Sequence, residues 1–255
     1  MATIPSISLI PSGYKAGKVY SVLPTDGSAD FDFSRNTTAT RINKDGLIEN
    51  VGNNVPRLDY EGGGCPSLLL EPQSTNLLTY SEGFSNAYWS KFGTNFTVTD
   101  NNSISPSGEL NASTLNVSNA DNELYKALSF GSTSGVWTFS IYAKGSGTFD
   151  MKIRLAGSAA TAQTMTLTSD WQRFDVTSIY GTSKTSVESF ISFNNIVNMD
   201  IFGAQTEQSS YATSYIPTSG SAQTRLADAA NGAGNAATFN DSEGVLFADI
   251  SALAN

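Results

Sequence analysis

The chain contains no histidine, and its 255 residues include a single cysteine, Cys65. Without histidine there can be no Ser-His-Asp or Cys-His nucleophilic arrangement and no histidine-based zinc site, and the commonest general base near neutral pH is missing. A hydrolase built from this sequence would have to work with carboxylates alone. One thiol cannot close an intrachain disulfide, so stability has to come from packing and from association with other chains. Charge is scarce as well. The 14 basic and 23 acidic residues leave a formal charge of -9 at pH 7, spread thinly, with no Lys/Arg stripe of the kind phosphate binding requires. Nucleic acid is therefore not an expected partner. Glu61-Gly-Gly-Gly64 is followed by neither Lys-Ser/Thr nor a helix, so it is not a phosphate loop. No stretch approaches the ~20 apolar residues of a membrane span, and membrane insertion is not expected. The start, Met-Ala-Thr-Ile-Pro-Ser-Ile-Ser-Leu-Ile-Pro, has neither a basic n-region nor a continuous apolar h-region. The sequence thus predicts a protein made in the cytoplasm without a signal peptide.

What the chain does contain points to strands. Ser, Thr, Asn and Gly dominate the polar residues, and Val, Ile, Tyr, Phe and Thr recur in short runs between turn formers, with no sustained helical period. The expectation is an all-β protein: a small N-terminal β-meander, an antiparallel jelly-roll β-sandwich and extended terminal arms. Residues 1–30, broken by Pro5, Pro11, Gly13, Gly17, Pro24 and Gly27, read as an extended arm or short strands forming an attachment segment. In residues 31–82, Ala39 to Asn43 and Leu47 to Val51 flank Lys44-Asp-Gly46, and Asp-Gly supplies the positive φ angles of a tight hairpin turn. Arg57 to Tyr60 and Ser67 to Glu71 form a second pair around the glycine run.

Residues 83–207 carry strand candidates at sandwich spacing: Phe96–Thr99, Ala112–Val117, Tyr125–Phe130, Val136–Ala143, Phe149–Leu155, Ala162–Leu167, Trp171–Val176, Ser186–Phe193 and Met199–Ala204. Trp137, Phe139, Ile141 and Ala143 share one face of their strand, while Thr138, Ser140 and Tyr142 share the other. Residues 208–240 read as an ordered arm followed by a Gly/Ala/Asn-rich linker over Ala229–Ala237. Residues 241–255 read as the start of a further β unit, with a fresh strand over Gly244–Leu253. Asn-x-Ser/Thr triplets such as those beginning at Asn36, Asn95, Asn111 and Asn116 are what chance gives in a chain this rich in Ser, Thr and Asn.

Two polar motifs bracket the sandwich region. The first runs Cys65-Pro-Ser-Leu-Leu-Leu-Glu-Pro-Gln-Ser-Thr-Asn-Leu-Leu-Thr-Tyr-Ser-Glu82; the second runs Phe202-Gly-Ala-Gln-Thr-Glu207 and then Tyr211-Ala-Thr-Ser-Tyr-Ile-Pro-Thr218. With Phe33-Ser-Arg-Asn-Thr-Thr-Ala-Thr-Arg-Ile-Asn-Lys-Asp-Gly-Leu-Ile-Glu49 and Pro56-Arg-Leu-Asp-Tyr60, this frame resembles a family of bacteriophage tail-fibre, head-fibre and other virion surface proteins, in which such motifs flank a jelly roll similar to carbohydrate-binding domains. The resemblance covers most of residues 31–228. It implies a virion surface location, other virion proteins as partners, a homotrimer, and a host-surface glycan as ligand. It also implies that Glu71 and Glu82 are structural hydrogen-bond acceptors.

The function expected on these grounds is a non-enzymatic fibre or adhesin subunit. Its rivals are a purely architectural decoration or connector protein and a carboxylate-dependent polysaccharide depolymerase. The depolymerase would draw on Glu49, Asp59, Glu61, Glu71 and Glu82, two of which would have to lie within roughly 5–10 Å of each other across a groove. A sugar site needs an exposed aromatic face beside hydrogen-bonding side chains. Trp89, Tyr125, Tyr142 and Tyr180 are the candidates, whereas Trp137 and Trp171 alternate with apolar residues and read as core. No other cofactor is expected, but a structural calcium is chemically suited to Glu82, Asp200 and Glu207. The competing reading has these carboxylates accepting backbone N–H groups or pairing with Arg57 or Arg225.

Overall fold

The computed structural model describes residues 4–11, 13–239 and 244–250, and every regular element among them is a strand. In chain order the first seven are β1 (Tyr14–Lys15), β2 (Lys18–Val19), β3 (Phe31–Ser34), β4 (Ala39–Ile42), β5 (Ile48–Val51), β6 (Arg57–Asp59) and β7 (Ser67–Leu69). Then come β8 (Ser74–Asn76), β9 (Ser90–Phe92), β10 (Phe96–Ile104), β11 (Leu110–Val117), β12 (Asn122–Ser146), β13 (Thr148–Leu155), β14 (Thr161–Thr166), β15 (Gln172–Phe193) and β16 (Val197–Glu207). The last two are β17 (Gln223–Arg225) and β18 (Ala229–Asn231). The chain is all-β, as its composition predicts. It forms two compact units: residues up to Gln73 with the described residues from Arg225 onward, and Ser74–Thr224.

In the first unit, β1, β2, β3 and β18 form one antiparallel sheet, with Val19 opposite Phe31 and Ala230 opposite Phe33. The two expected hairpins are both present, β4 with β5 and β6 with β7. At the first turn, Gly46 has φ 76° and Asn43 Oδ1 accepts from the Asp45 and Leu47 amides at 2.9 and 3.0 Å. The centre of this unit is ionic. Arg35 pairs with Asp228 at 2.9 Å, Arg57 bridges Asp228 and Glu71, and Arg225 lies 3.4 Å from Glu71, all with side chains that solvent barely touches. Arg35 also donates to the carbonyls of Thr37 and Gly52, and Arg57 to that of Thr40. The buried charges are thus neutralised by one another and solvated by backbone oxygens, the condition under which such groups can be buried at all.

The second unit is the jelly roll. Its sheet runs β10-β11-β16-β12-β15-β13-β14, with β9 alongside β12. The sandwich arises because β12 and β15 are long and each serves both layers. Residues 136–143 of β12 pair with residues 172–179 of β15 and with β16, whereas residues 122–129 pair with residues 186–193 and with β9. Between the two halves the register shifts around Ser129–Gly135, the Gly-Ser-Thr-Ser-Gly stretch. One layer is therefore β10, β11, β16 and the adjoining halves of β12 and β15; the other is β9, the remaining halves, β13 and β14. Between them lie Trp137, Phe139, Ile141 and Ala143 with Leu115, Phe149, Met151, Ile153, Val187, Ile191, Met199 and Ile201.

Several expectations need correction. The gaps expected between Phe130 and Val136 and between Val176 and Ser186 are not chain breaks; their Gly, Ser and Thr residues bend a continuous strand from one layer into the other. The boundaries placed after residues 30, 82 and 207 also differ from those of the two units, and the one after residue 240 lies outside the described residues. The N-terminal segment contributes β1 and β2 to the first unit, and Ala229–Asn231, read as linker, pairs with β3 because Asp228 is held just before it. Residues 244–250 form no strand: a strand needs a ladder partner, and none pairs with this segment among the described residues. The rest of the strand expected over Gly244–Leu253 lies outside the described residues.

Candidate functional site

The two outward faces of the jelly roll are built differently. On the first layer, Ser140, Gln205 and Glu207 point away from the apolar core and yet are fully buried, because the segments before β9 and after β16 lie across them. Asn76 uses both ends of its amide: Nδ2 donates to the carbonyls of Ala204 (3.0 Å) and Ile216 (2.9 Å), and Oδ1 accepts from the amides of Leu78 and Thr206 (both 3.2 Å). Gln205 Nε2 donates to Glu207 at 2.7 Å, and its Oε1 accepts from the Ile216 amide at 2.8 Å. Glu207 also accepts from Ser74 Oγ at 2.5 Å, from the Thr213 amide at 2.9 Å and from Thr213 Oγ1 at 2.8 Å. Gly203, at φ 64° in the bulge between the Ser140 and Tyr142 pairings, leaves room for the Tyr142 and Tyr215 rings. The two bracketing motifs are thus halves of one buried network, and their chemistry is spent on closing this face.

The second layer's outward face is hydrogen-bonded only among its own strands and the residue that follows β15, as far as its described side chains go. Register places Phe92, Glu123, Ser192, Asp150 and Thr164 in one row, Ser90, Tyr125, Phe190, Lys152 and Ala162 in the next, and Ala127, Glu188 and Arg154 in a third. Tyr125 stacks on Phe190 with ring centroids 5.2 Å apart and planes 19° from parallel, and the Arg154 guanidinium lies 5.0 Å from the Phe190 centroid. Around this pair Lys152 meets Glu123 at 3.2 Å, Ser192 donates to Glu123 at 3.0 Å, and Arg154 meets Glu188 at 2.5 Å. Asp150 accepts from Thr164 and Asn194. Phe190 (6% exposed) and Ser192 (1%) lie buried beneath these neighbours, so half-buried Tyr125 and exposed Phe92 form the face's aromatic surface beside the fixed donors and acceptors.

Of the four aromatic residues singled out from sequence, only Tyr125 lies on this face. Trp89 is core, 3% exposed and packed on Phe84 and Tyr88. Tyr142 is half-buried among Phe202, Tyr215 and the Arg173 guanidinium. Tyr180 packs against the core and donates to the Ile153 carbonyl at 2.8 Å. Trp137 is core as expected, but Trp171 is half-buried at the margin, with its indole N–H on the Ile104 carbonyl and Lys144 over its ring.

Glu82, Asp200 and Glu207 do not converge. Glu82 accepts from Tyr215 and Asn111, Asp200 from Thr114 with Lys144 at 3.6 Å, and Glu207 is held as described above. No group of three potential metal-ligating side chains occurs among the described residues. Arg57 and Arg225 pair with Glu71 and Asp228 and with none of these three. Sequence reasoning missed Phe190, Lys152, Arg154, Glu123 and Glu188. The signal was the strict alternation of Phe149-Asp-Met-Lys-Ile-Arg-Leu155 and of Val187-Glu-Ser-Phe-Ile-Ser-Phe193, which puts Asp150, Lys152, Arg154, Glu188, Phe190 and Ser192 on one outward face.

No family model matches the sequence, and no curated protein matches it. Among solved structures, the chain is similar to the enzymatically active domain of tailspike protein 4 of bacteriophage CBA120, at 15% identity and TM-score 0.41 over 51% of this chain and 21% of that one. It therefore matches only about a fifth of the tailspike's length. It is also similar to TmCBM61 in complex with beta-1,4-galactotriose, at 14% identity and TM-score 0.40 over 52% of this chain and 99% of that one. A third likeness is to the CBM22-1-GH10 modules of Clostridium thermocellum xylanase 10B complexed with xylohexaose, at 14% identity and TM-score 0.40 over 57% and 30% of the two chains.

Proposed function

We propose that the jelly-roll unit is a non-catalytic glycan-binding module that takes an oligosaccharide across β9, β12, β15, β13 and β14, and that the chain presents it at a virion surface for attachment to a host. The observation that carries this reading is the contrast between the two faces: one is sealed by the chain's own segments, while the other keeps Tyr125 stacked on Phe190 amid ion-paired and hydroxyl side chains. A pyranose ring laid on Tyr125 would bury its apolar face while its hydroxyls reach Glu123, Lys152 and Glu188. Five strands at about 4.8 Å spacing give roughly 19 Å of platform, more than one sugar ring needs. Glu123 and Glu188 are each ion-paired, which supports holding a ligand over passing it a proton.

The framing motifs, which resemble those of phage fibre proteins, support the virion placement and a trimeric assembly with other virion proteins. Several copies would raise a single-site affinity of roughly millimolar by orders of magnitude on a repetitive surface. The test is binding of the full chain to host-envelope oligosaccharides by glycan array and then titration calorimetry, with Tyr125→Ala as the variant. Tyr125→Ala should weaken binding about tenfold or more, equivalent to about 1.4 kcal/mol, with the fold intact by circular dichroism. Unchanged affinity would overturn the site, and release of new reducing ends from the polysaccharide would overturn the non-catalytic reading.

A further inference from the structure

A second recess in the jelly-roll unit is unrelated to the Tyr125 face. It is an open hollow of about 380 Å³ lined by Tyr80, Glu82, Gly83, Pro217, Thr218 and Ser219, near the lower end of the range for small-molecule sites. Tyr80 and Pro217 give it apolar walls, and Glu82 and Ser219 supply oxygen atoms. The Glu82 carboxylate is partly buried. One oxygen accepts from the Tyr215 hydroxyl at 2.9 Å and the other from Asn111 Nδ2 at 3.2 Å, which leaves each a further lone-pair direction. Both donors are neutral, and Glu109 lies close enough to act on Glu82 as a like charge. No Lys or Arg lines the recess.

An ionised carboxylate that is half withdrawn from water, with a carboxylate neighbour and an aromatic wall, is a site for a cation. An ammonium group gains from both the negative charge and the Tyr80 ring, whereas a neutral hydroxyl gains only a hydrogen bond. A small metal ion would find one carboxylate here, since no set of three ligating side chains occurs among the described residues. The volume of the hollow and the Ser219 hydroxyl beside Glu82 suit a compact polyhydroxylated carrier better than a narrow alkyl chain. We propose that this hollow binds an amino sugar bearing a free, protonated amine, with the ammonium on Glu82 and the ring against Tyr80. The site shares no residue with the Tyr125 face, so either can fail alone.

Titration of the full chain with the β-1,4-linked glucosamine dimer, alongside its N-acetylated counterpart and Nα-acetyl-lysine methylamide, tests the assignment. The glucosamine dimer should bind and the acetylated dimer should not at matched concentrations. Glu82→Gln should weaken the glucosamine dimer about tenfold or more, the scale of a hydrogen bond to a charged group, and leave ligands of the Tyr125 face unchanged. Tyr80→Ala, on a half-buried side chain, gives the same test should Glu82→Gln fold poorly. The proposal is overturned if neither sugar binds, if the acetylated dimer binds equally, if the lysine derivative binds and the sugar does not, or if both variants keep wild-type affinity.

Discussion

Each unit of the chain buries carboxylates, and the two do so by different means. In the first unit Asp228 and Glu71 face the guanidinium groups of Arg35, Arg57 and Arg225, so charge is cancelled by charge. In the jelly roll the described partners of Glu207 are the hydroxyls of Ser74 and Thr213, the Gln205 amide and one backbone N–H, so charge is solvated by fixed dipoles. Both centres tie together segments far apart in sequence: Arg35 and Asp228 are separated by 193 positions, Ser74 and Glu207 by 133. The difference lies in what a lost partner leaves behind. Removing Arg57 from the first centre breaks buried ion pairs to two carboxylates at once and leaves each with a single guanidinium, whereas changing one group in the second leaves hydrogen bonds unmade.

The largest effect should therefore come from Arg57→Met. Arg57 touches both Glu71 and Asp228, and breaking a buried pair by removing one partner costs about 3–5 kcal/mol. Denaturant unfolding of the full chain should show a shift of that size in the transition reporting the first unit, with little change in the jelly roll's. In Arg57→Met, Arg35 still pairs with Asp228 and Arg225 still lies near Glu71, so adding Asp228→Asn should deepen the loss by leaving Arg35 without its carboxylate. A cost below about 1 kcal/mol, the level of an exposed ion pair, would break the comparison, since it would mean that water reaches the centre once the guanidinium is removed.

Glu207→Gln comes next. Four donors converge on the carboxylate, and a Gln side chain would turn its own N–H groups toward two of them. The expected cost is about 1–3 kcal/mol, the penalty for donors left buried without acceptors, read as a lower melting temperature of the jelly roll. Gly203→Ala belongs to the same face. At φ 64° an alanine is strained by about 1–2 kcal/mol, and its Cβ would stand 3.2 Å from the Tyr215 ring and 3.3 Å from that of Tyr142. If Gly203→Ala proved as costly as Arg57→Met, packing of the covering segment, and not polar satisfaction, would be what holds that face.

The same contrast explains what could be read from sequence. Strand type and both hairpins were legible, because alternation and the Asp45-Gly46 turn are local signals with local causes. The long strands β12 and β15 were not, because Gly131 to Gly135 signals a bend and a chain break in the same residues. Trp89 and Tyr142 fit a sugar site by residue type alone; Trp89 packs on Phe84 and Tyr88 close by in sequence, within the core, while Tyr142 is buried by Phe202 and Tyr215, contacts that no window of sequence contains. Of the open face, the outward residues of β13 and β15 carry a period-two signal, but the division into faces drawn from sequence covers only the strand over Val136–Ala143. Which of the two layers would be covered carries no such signal, because that depends on where Asn76 and Thr213 dock.

Glu82 offers the smallest and most discriminating test, since it stands between the two kinds of centre: a partly buried carboxylate with two neutral donors and no cation. Burial raises its pKa above the ordinary carboxylate value, and Glu109 pushes the same way against the hydrogen bonds from Tyr215 and Asn111. An acid whose folded-state pKa is raised binds more protons folded than unfolded. Its favourable contribution is therefore complete below the unfolded pKa and is lost as pH rises through the folded one. Wild-type jelly roll should lose a little stability as pH climbs through that window, and Glu82→Gln should not. The substitution keeps an acceptor for the Tyr215 hydroxyl, and its new N–H can meet Asn111 Oδ1, which is buried without a hydrogen-bond partner within the protein. At neutral pH, Glu82→Gln is thus expected to melt at or slightly above the wild-type temperature. A clear loss of stability would mean that the ionised carboxylate, and not the hydrogen bonds it accepts, holds Tyr215 in place.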